Sequence, residues 1–284
     1  MTVKAAIIAA YDDMSGSYTC SRLCSEARAE GISIETIGVL DSYLSDKGVV
    51  NRGKTVQDYD FIINRYKWGT IKDEIGKRAK KTYNDTDAFN KFVNKYNQYR
   101  CIRSEHFEVP ASIMSNSTID YGTLANSLGT PFVAKGLENS QGQEIFKIST
   151  EAEYEQLRSA FPAEKEWLFQ EFVGTSVGRD LRVFSIRGKP VAAMIRENKN
   201  DFRSNYALGA SLTPFDDLKS VEKITEDLYG QTHIDFAGID LLFGENNYCF
   251  CEINVMPGIK GVESITGTNI AKQIIQTICG DLNG

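Results

Sequence analysis

A predicted β-hairpin near the C-terminus carries the side chains best suited to chemistry. The apolar runs FAGIDLLF and YCFCEINV flank a Gly-Glu-Asn-Asn turn, and Asp240, Glu252 and Asn254 interrupt them. We expect Gly244 to pair with Tyr248 around a three-residue loop. This register places Asp240 opposite Glu252, and the two-residue period of a strand puts Asn254 on the same face.

The expected register has consequences for the turn and for the chemistry of the hairpin. A loop of this length needs a residue in the left-handed conformation, which Asn247 adopts readily. Two opposed carboxylates repel each other unless a cation lies between them. Carboxylate and amide oxygens suit Mg²⁺, which commonly bridges nucleotide phosphates. The residues alone leave open an edge hairpin with exposed polar side chains, but the apolar neighbours on both faces weaken that interpretation.

A lysine at the end of a predicted strand is the next candidate. Lys135 ends the strand TPFVAKG, and the loop that follows contains Ser140, Gln141 and Gly142. Backbone N–H groups of such a loop can cradle phosphates while the lysine reaches them. The sequence has neither G-x-x-x-x-G-K-[ST] nor G-x-G-x-x-G, so P-loop and Rossmann nucleotide sites lose their main support.

The segment from Arg65 to Arg103 is basic within an acidic protein. It has eleven Lys and Arg against four Asp and Glu, whereas the whole chain has a net charge of −6. Solvated helix faces are the ordinary explanation. We also hypothesise that Arg65, Lys67 and Lys72 attract an anionic substrate. The acidic net charge argues against a nucleic-acid partner.

The elements that must position these residues alternate between strands and helices in the first part of the chain. Residues 3–10 and 32–39 and the stretch DYDFIIN predict strands, and residues 17–30 predict a helix closed by Gly31. This alternation favours a small α/β unit that extends to about residue 80.

Helices and hairpins are predicted in the rest of the chain. Residues 85–105 are expected to be helical, EWLFQEFV to be a strand, and the following hairpin to turn at Arg187-Gly188. Thr213-Pro214 is expected to begin a helix. The apolar face of that helix consists of Leu218, Val221, Ile224 and Leu228.

The cysteines and the composition bound the class of protein. Hydrophobic residues at 42% and charged residues at 25% are ordinary for a globular protein. We expect Cys20, Cys24, Cys249 and Cys251 to be buried and reduced, because their neighbours are apolar, and to be free of zinc, because the chain has only two histidines. The early apolar run Val3–Ala10 is too short to span a membrane. A cytoplasmic protein without a membrane partner is expected.

These stretches together resemble the ATP-grasp superfamily and, within it, the RimK-type carboxylate–amine ligases. The similarity extends from about residue 84 to residue 275 and includes RDLRVF, NDFRSN, AGIDLLF, CEINVMPGIKGVESITGTNIA and VAKGLENSQG. It implies an α+β ATP-grasp fold preceded by an α/β pre-ATP-grasp domain. The implied divisions are residues 1–84, a central lobe of residues 85–166 and a C-terminal lobe of residues 167–284.

The resemblance also implies roles for individual residues. The implied ATP-binding residues are Lys95, Lys135, Ser140, Gln141, Gly142, Glu171, Phe172, Asp180, Arg203, Ser204 and Asn205. Arg196 and Arg203 would hold phosphate and the activated carboxylate. Asp240, Glu252 and Asn254 would bind one or two Mg²⁺ ions, with Mn²⁺ as a substitute. The chain departs from the family pattern at Gln143-Glu144, where relatives have a further glycine, and at Leu208, where relatives often have arginine.

The expected function is an ATP-dependent ligase that joins the carboxylate of a peptide or small molecule to an amino acid or amine. An acyl phosphate is the expected intermediate, because a carboxylate is a poor electrophile until it is phosphorylated. One alternative is an ATP-binding module of the same fold without ligase activity. A kinase that stops at phosphoryl transfer is a second alternative. A homo-oligomer is left open.

Overall fold

A parallel sheet forms the N-terminal unit of the computed structural model, which describes residues 3–14, 17–137, 144–204 and 209–283. Its elements are β1 (Lys4–Ala9), α1 (Tyr18–Ala29), β2 (Ser33–Gly38), β3 (Ser42–Ser45), β4 (Gly48–Asn51), β5 (Lys54–Thr55), β6 (Tyr59–Asn64), α2 (Thr70–Gly76) and β7 (Ala79–Tyr83). The parallel sheet has the order β2-β1-β6-β7, and β3-β4-β5 form a small antiparallel sheet. The α/β unit predicted from the alternating pattern is confirmed.

The second part of the chain forms, in its described residues, four helices and an antiparallel sheet. The elements are α3 (Thr86–Phe92), α4 (Lys95–Cys101), β8 (Ser112–Asn116), α5 (Tyr121–Leu128), β9 (Phe132–Gly136), β10 (Ile145–Ile148), α6 (Glu151–Ala160) and β11 (Glu166–Glu171). The sheet order is β10-β9-β11-β8. Because β11 pairs with both β8 and β9, we propose that the central lobe extends to Glu171 rather than to residue 166.

The C-terminal part is built on a five-stranded antiparallel sheet with the order β14-β13-β12-β15-β16. Its elements are β12 (Arg179–Ile186), β13 (Lys189–Glu197), β14 (Ser211–Pro214), α7 (Glu222–Thr232), β15 (Phe236–Phe243), β16 (Tyr248–Asn254), α8 (Lys260–Thr266) and α9 (Ile270–Asn283). The predicted turn at Arg187-Gly188 is confirmed, with φ of +48° and +80°. Among the described residues, no helix is long and apolar enough to cross a membrane.

Two predictions about helices were wrong in detail. Thr213 and Pro214 end strand β14, and the helix α7 begins only at Glu222 after a 3₁₀ turn. The predicted helix over residues 85–105 is broken into α3 and α4. The side chain of Asn94 accepts a hydrogen bond of 2.9 Å from the Tyr96 N–H and caps the second helix. This cap makes Lys95 the first residue of α4.

The two faces of the five-stranded sheet join different neighbours. One face shares a core with α1, α8, α9 and the parallel sheet, and the other packs on α3, α4 and α7. The buried side chain of Asn84 joins the N-terminal unit to this sheet through hydrogen bonds. Its amide donates to the carbonyl oxygens of Phe236 and Val255 at 2.9 and 2.8 Å. The N-terminal unit is therefore fixed beside β15 and the end of β16.

Candidate active site

A cleft between the central sheet and the five-stranded sheet collects most of the predicted site residues. It has a volume of about 790 Å³ with its open mouth included. The predicted residues on its wall are Lys95, Lys135, Glu171, Phe172, Asp180, Arg196, Arg203, Ser204, Asp240 and Glu252. Asn254 lines a small adjoining cavity together with Lys95 and Glu252. Ser140, Gln141, Gly142 and Asn205, like Leu208, lie outside the described residues.

The β15–β16 hairpin carries the three predicted metal ligands, Asp240, Glu252 and Asn254, which are called the metal shelf below. The predicted pairing of Asp240 with Glu252 is confirmed. The predicted turn is wrong, because Phe243 pairs with Tyr248 and Asn247 does not adopt a positive φ.

A β-bulge at Cys251 reconciles the turn with the pairing. Leu241 pairs with Phe250 and Asp240 with Glu252, so Cys251 is the extra residue of β16. A bulge of this kind re-aims the side chains that follow it. Cys251 and Glu252 consequently both line the cleft, although they are neighbours in sequence.

Helix α4 covers the free edge of β16 and places a lysine at the shelf. The Gln98 side chain donates to the Ile253 carbonyl at 2.9 Å and accepts from the Ile253 N–H at 2.8 Å, as a neighbouring strand would. Tyr99 donates its hydroxyl to the Cys251 carbonyl. Lys95 is buried, and its Nζ lies 3.8 Å from Oε2 of Glu252.

Asp240 of the metal shelf forms a buried charged network with three further side chains, Arg182, Arg196 and Asp180. Arg196 donates to Asp180 through Nε at 2.7 Å and through Nη2 at 2.5 Å, and its Nη2 lies 2.9 Å from Oδ2 of Asp240. Arg182 donates to both oxygens of Asp240, through Nε and through Nη2, the latter at 2.7 Å. Ser204 donates its hydroxyl to Asp180 at 2.6 Å. The two carboxylates and two guanidinium groups sum to zero charge, which makes their burial tolerable.

The two buried aspartates differ in the number of arginines they contact. Burial raises the pKa of Asp180 more than its single guanidinium neighbour, Arg196, lowers it. Burial also acts on Asp240, but Arg182 and Arg196 together hold the pKa of Asp240 below its usual value. Asp240 is therefore the more firmly ionised of the two. An ionised carboxylate is what a metal ligand requires.

Lys135 is a buried residue near the end of β9 and lines the cleft. Its Nζ donates to Oε1 of Gln170 at 2.6 Å and lies 4.0 Å from Sγ of Cys251. Burial raises the pKa of the Cys251 thiol to about 11 and that of Cys249 to about 12. These thiols are therefore protonated near neutral pH and poor nucleophiles. Cys251 is half-buried rather than fully buried, because it lines the cleft.

The other end of the cleft has an apolar and aromatic wall suited to a planar ring. Its wall includes Val133, Ile145, Phe172, Val173 and Leu242. Phe172 meets Phe202 in an edge-to-face contact with 6.2 Å between ring centroids. The guanidinium of Arg203 is held by Asp201, with Nη2 2.7 Å from Oδ2.

The donor set fits a divalent cation held together with an anionic nucleotide. An ionised carboxylate offers about four lone-pair positions. Arginine contacts use three of them on Asp240, which leaves one for a cation. No group of three His, Cys, Asp or Glu side chains is placed as a metal centre in the described ranges. The Asn254 amide oxygen, which accepts a hydrogen bond from the Met256 N–H at 3.0 Å, would be the third oxygen donor, and a set of two carboxylates and an amide suits Mg²⁺.

We call the idea that Arg65, Lys67 and Lys72 attract an anionic substrate the steering hypothesis. The structure contradicts it at one residue. Lys72 is 1% exposed, donates to Asn90 and packs 4.9 Å over the Phe89 ring, so it cannot meet a substrate. Arg65 donates to the Pro257 carbonyl at 2.9 Å. Lys67 shares the cavity of Asn254 and Glu252. The hypothesis was wrong for Lys72, and for Arg65 and Lys67 it stays a prediction.

Sequence reasoning missed several side chains that line the cleft or lie next to it. Arg182, Gln170, Cys251 and Phe202 all contact residues that were predicted. A signal existed for Arg182, because the stretch RDLRVF places it two residues after Asp180 and hence on the same face of the strand. Its partner on β15 could not be read from the stretch itself.

Comparison with known proteins decides the family. The model of the RimK-like ATP-grasp domain matches residues 93–278. The chain belongs to the RimK-like ATP-grasp family. This membership confirms the prediction of an enzyme of the class of ATP-grasp ligases that form carbon–nitrogen bonds.

Individual relatives of the RimK-like chain agree with this placement. A probable alpha-L-glutamate ligase of Coxiella burnetii is 28% identical over 289 residues, which is 97% of this chain and 95% of that protein. The ATP-grasp ligase PsnB, complexed with a minimal precursor, superposes with a TM-score of 0.72 at 16% identity over 99% of both chains. The D-alanine–D-alanine ligase of Bacillus anthracis gives 0.70 at 15% identity, over 99% of this chain and 97% of that one. The predicted ATP-grasp fold is confirmed.

Proposed function

We propose that this RimK-like protein joins an amino acid to the carboxylate of a peptide or small molecule, with release of ADP and phosphate. Glutamate is the first amino acid to test, because the Coxiella burnetii relative is named a probable alpha-L-glutamate ligase. The reaction would proceed through an acyl phosphate. The proposal includes ATP and Mg²⁺ as the cosubstrate and cation, and PsnB has been solved with Mg and ADP.

The observation that carries the proposal is the metal shelf facing a cluster of cations. Asp240 and Glu252 oppose each other on paired strands, and Lys95 and Lys135 line the same cleft. Mg²⁺, when bound at the shelf, supplies charge neutralisation to the transferred phosphoryl group. In such a site, the metal cation and the two lysines balance the negative charge of the nucleotide. A cleft of this composition favours phosphoryl transfer over hydrolysis by a nucleophilic side chain.

The proposed division of labour follows from the position of each side chain. Lys95 and Lys135 bind phosphate oxygens, and the apolar wall around Phe172 binds adenine. Arg196 and Arg203 bind the oxygens on which negative charge grows when an amine attacks the acyl phosphate. Asp180 holds Arg196 and Ser204 in place through the hydrogen bonds described above. Closure of the cleft would exclude water and protect the acyl phosphate from hydrolysis.

The test is a screen for ADP release. The full chain is incubated with ATP, Mg²⁺, L-glutamate and a panel of carboxylates and peptides, and new amides are identified by mass spectrometry. We expect ADP release that requires both the amine and the carboxylate, and that is lost in Glu252→Gln. ADP release that requires the carboxylate but not the amine would instead identify a kinase. Nucleotide binding without turnover on any member of the panel would support a binding module.

A further inference from the structure

The guanidinium of Arg182 pairs with the carboxylate of Asp240, the proposed metal ligand. It reaches both carboxylate oxygens, Nε to Oδ1 and Nη2 to Oδ2 at 2.7 Å, which is the forked contact that only arginine makes. Arg196 touches Asp240 through one nitrogen, at 2.9 Å, and makes its own forked contact with Asp180. The two arginines therefore pair with different carboxylates. Arg182 pairs with Asp240, whereas Arg196 pairs with Asp180 and makes a single contact with Asp240.

Gly238 provides the space that Arg182 occupies. Arg182 lies opposite Asp240 in the pairing of β12 with β15, and Gly238 precedes Asp240 by two residues on the same face. A Cβ atom on residue 238 would lie 2.8 Å from Nη1 of Arg182 and 2.8 Å from Cβ of Pro257. Any side chain at this position would therefore push the guanidinium away. The missing side chain at Gly238 therefore leaves the room that Arg182, on the neighbouring strand, needs to reach Asp240.

We propose that Arg182 is the positioning residue of the metal shelf and that its fork fixes the Asp240 carboxylate for a divalent cation. A two-point contact sets both the position and the rotation of a carboxylate, which a lysine ammonium cannot do. It also leaves one lone-pair position of Asp240 to a cation once the three arginine contacts are made. The inference rests on the proposed function, since it assumes that Asp240 holds the metal.

Two variants disturb the contact in different ways. Arg182→Lys keeps the buried positive charge but removes the fork, and Gly238→Ala keeps the arginine but displaces it. ADP affinity is measured by calorimetry with and without Mn²⁺. In both variants we expect the gain in ADP affinity that Mn²⁺ provides to fall by about 10-fold or more, the usual effect of losing a group that orients a metal ligand. ADP affinity without metal should stay at the wild-type value, because Arg182 does not line the cleft wall around Phe172.

Arg187→Lys is the matched control. Arg187 makes an equally forked contact with Asp281, through Nη1 at 2.8 Å and Nη2 at 2.5 Å. It lies at the turn between β12, the strand that carries Arg182, and β13. This variant should lose thermal stability and keep the full Mn²⁺ effect on ADP affinity. If Arg182→Lys and Gly238→Ala behave like it, Arg182 is merely structural and the inference is overturned. If the wild-type protein binds ADP with no Mn²⁺ effect, the metal site of the proposed function fails as well.

Discussion

Gly178 ties the loop that carries Arg203 and Ser204 to the start of β12, and replacing it with alanine should loosen that loop. Its N–H donates to the Phe202 carbonyl at 2.9 Å, and its own carbonyl accepts from the Asn198 N–H at 2.7 Å. The residue has φ of +67°. An added Cβ atom would lie 2.2 Å from the Asn198 carbonyl oxygen and 2.7 Å from that of Asp201.

The size of the effect follows from these distances. A left-handed conformation costs a non-glycine residue roughly 1–2 kcal/mol. In addition, the carbonyl of Asn198 must move by about 1 Å before the contact becomes tolerable. A misplacement of that size in a binding loop can cost about 10²-fold in rate. We therefore expect Gly178→Ala to lower the free energy of unfolding by about 2 kcal/mol or more. Its kcat/KM should fall by about 10- to 100-fold.

Two other glycines separate the causes. Gly31 has φ of +76° and nothing within 4 Å of its added Cβ, so Gly31→Ala reports left-handed strain alone. Gly174 has an ordinary φ and an equally open surrounding, so Gly174→Ala should change little. Stability is measured by urea unfolding, and kcat/KM by amine-dependent release of ADP. A wild-type kcat/KM in Gly178→Ala, with a stability loss no larger than that of Gly31→Ala, would refute the reasoning.

Further predictions concern single side chains. Glu252→Gln should reduce ligase turnover by about 100-fold or more with little change in melting temperature, because Glu252 is a half-buried shelf residue; turnover at the wild-type rate would contradict the metal assignment. Hydrogen bonds from Arg187, ahead of those from Lys81 and Tyr83, hold the pKa of Asp281 well below its usual value. Ionised Asp281 therefore stabilises the fold above the unfolded pKa of about 3.9, and the stabilisation is lost as pH falls towards the lower folded value. The stability difference between wild type and Asp281→Asn should be constant from about pH 7 to pH 5 and shrink below about pH 4, by denaturant unfolding; a constant difference down to acid pH would contradict it. Lys67→Glu should raise KM for an anionic substrate more at low salt than at high salt, while buried Lys72→Glu should unfold the protein. Equal salt dependence in wild type and Lys67→Glu would end the steering hypothesis.

The metal shelf shows which features of a site can be predicted from the residue pattern of its strands. The pairing of Asp240 with Glu252 was predicted correctly, but from a turn that is not the one observed. The observed four-residue turn shifts the register by one residue relative to the predicted three-residue loop, and the bulge at Cys251 shifts it back. Nothing in the local sequence marks the bulge. Its consequence, that Cys251 and Glu252 face the same cleft, needed the structure.

Charges were harder to place than strands. Lys72 was counted with a solvent-facing group, yet it is buried against Phe89, because the sequence does not show which lysine of a basic helix faces the core. Asp180 was predicted to contact nucleotide, and the structure shows what surrounds it, a buried pairing with Arg196 and Ser204. Such pairings join strands that are distant in sequence. Local patterns therefore predict the residue types of the site but not their partners.

Transfer of oxygen from the carboxylate substrate to phosphate is the most direct test of the central claim. A carboxylate that supports ADP release is labelled with a heavy oxygen isotope and incubated with the protein, ATP, Mg²⁺ and L-glutamate. If the carboxylate attacks the terminal phosphorus of ATP and the amine then expels phosphate, one labelled oxygen leaves with each phosphate as each amide forms. We expect labelled phosphate in equal amount to the new amide, and neither product in Glu252→Gln. Amide formation with unlabelled phosphate, or with release of AMP, would contradict the account.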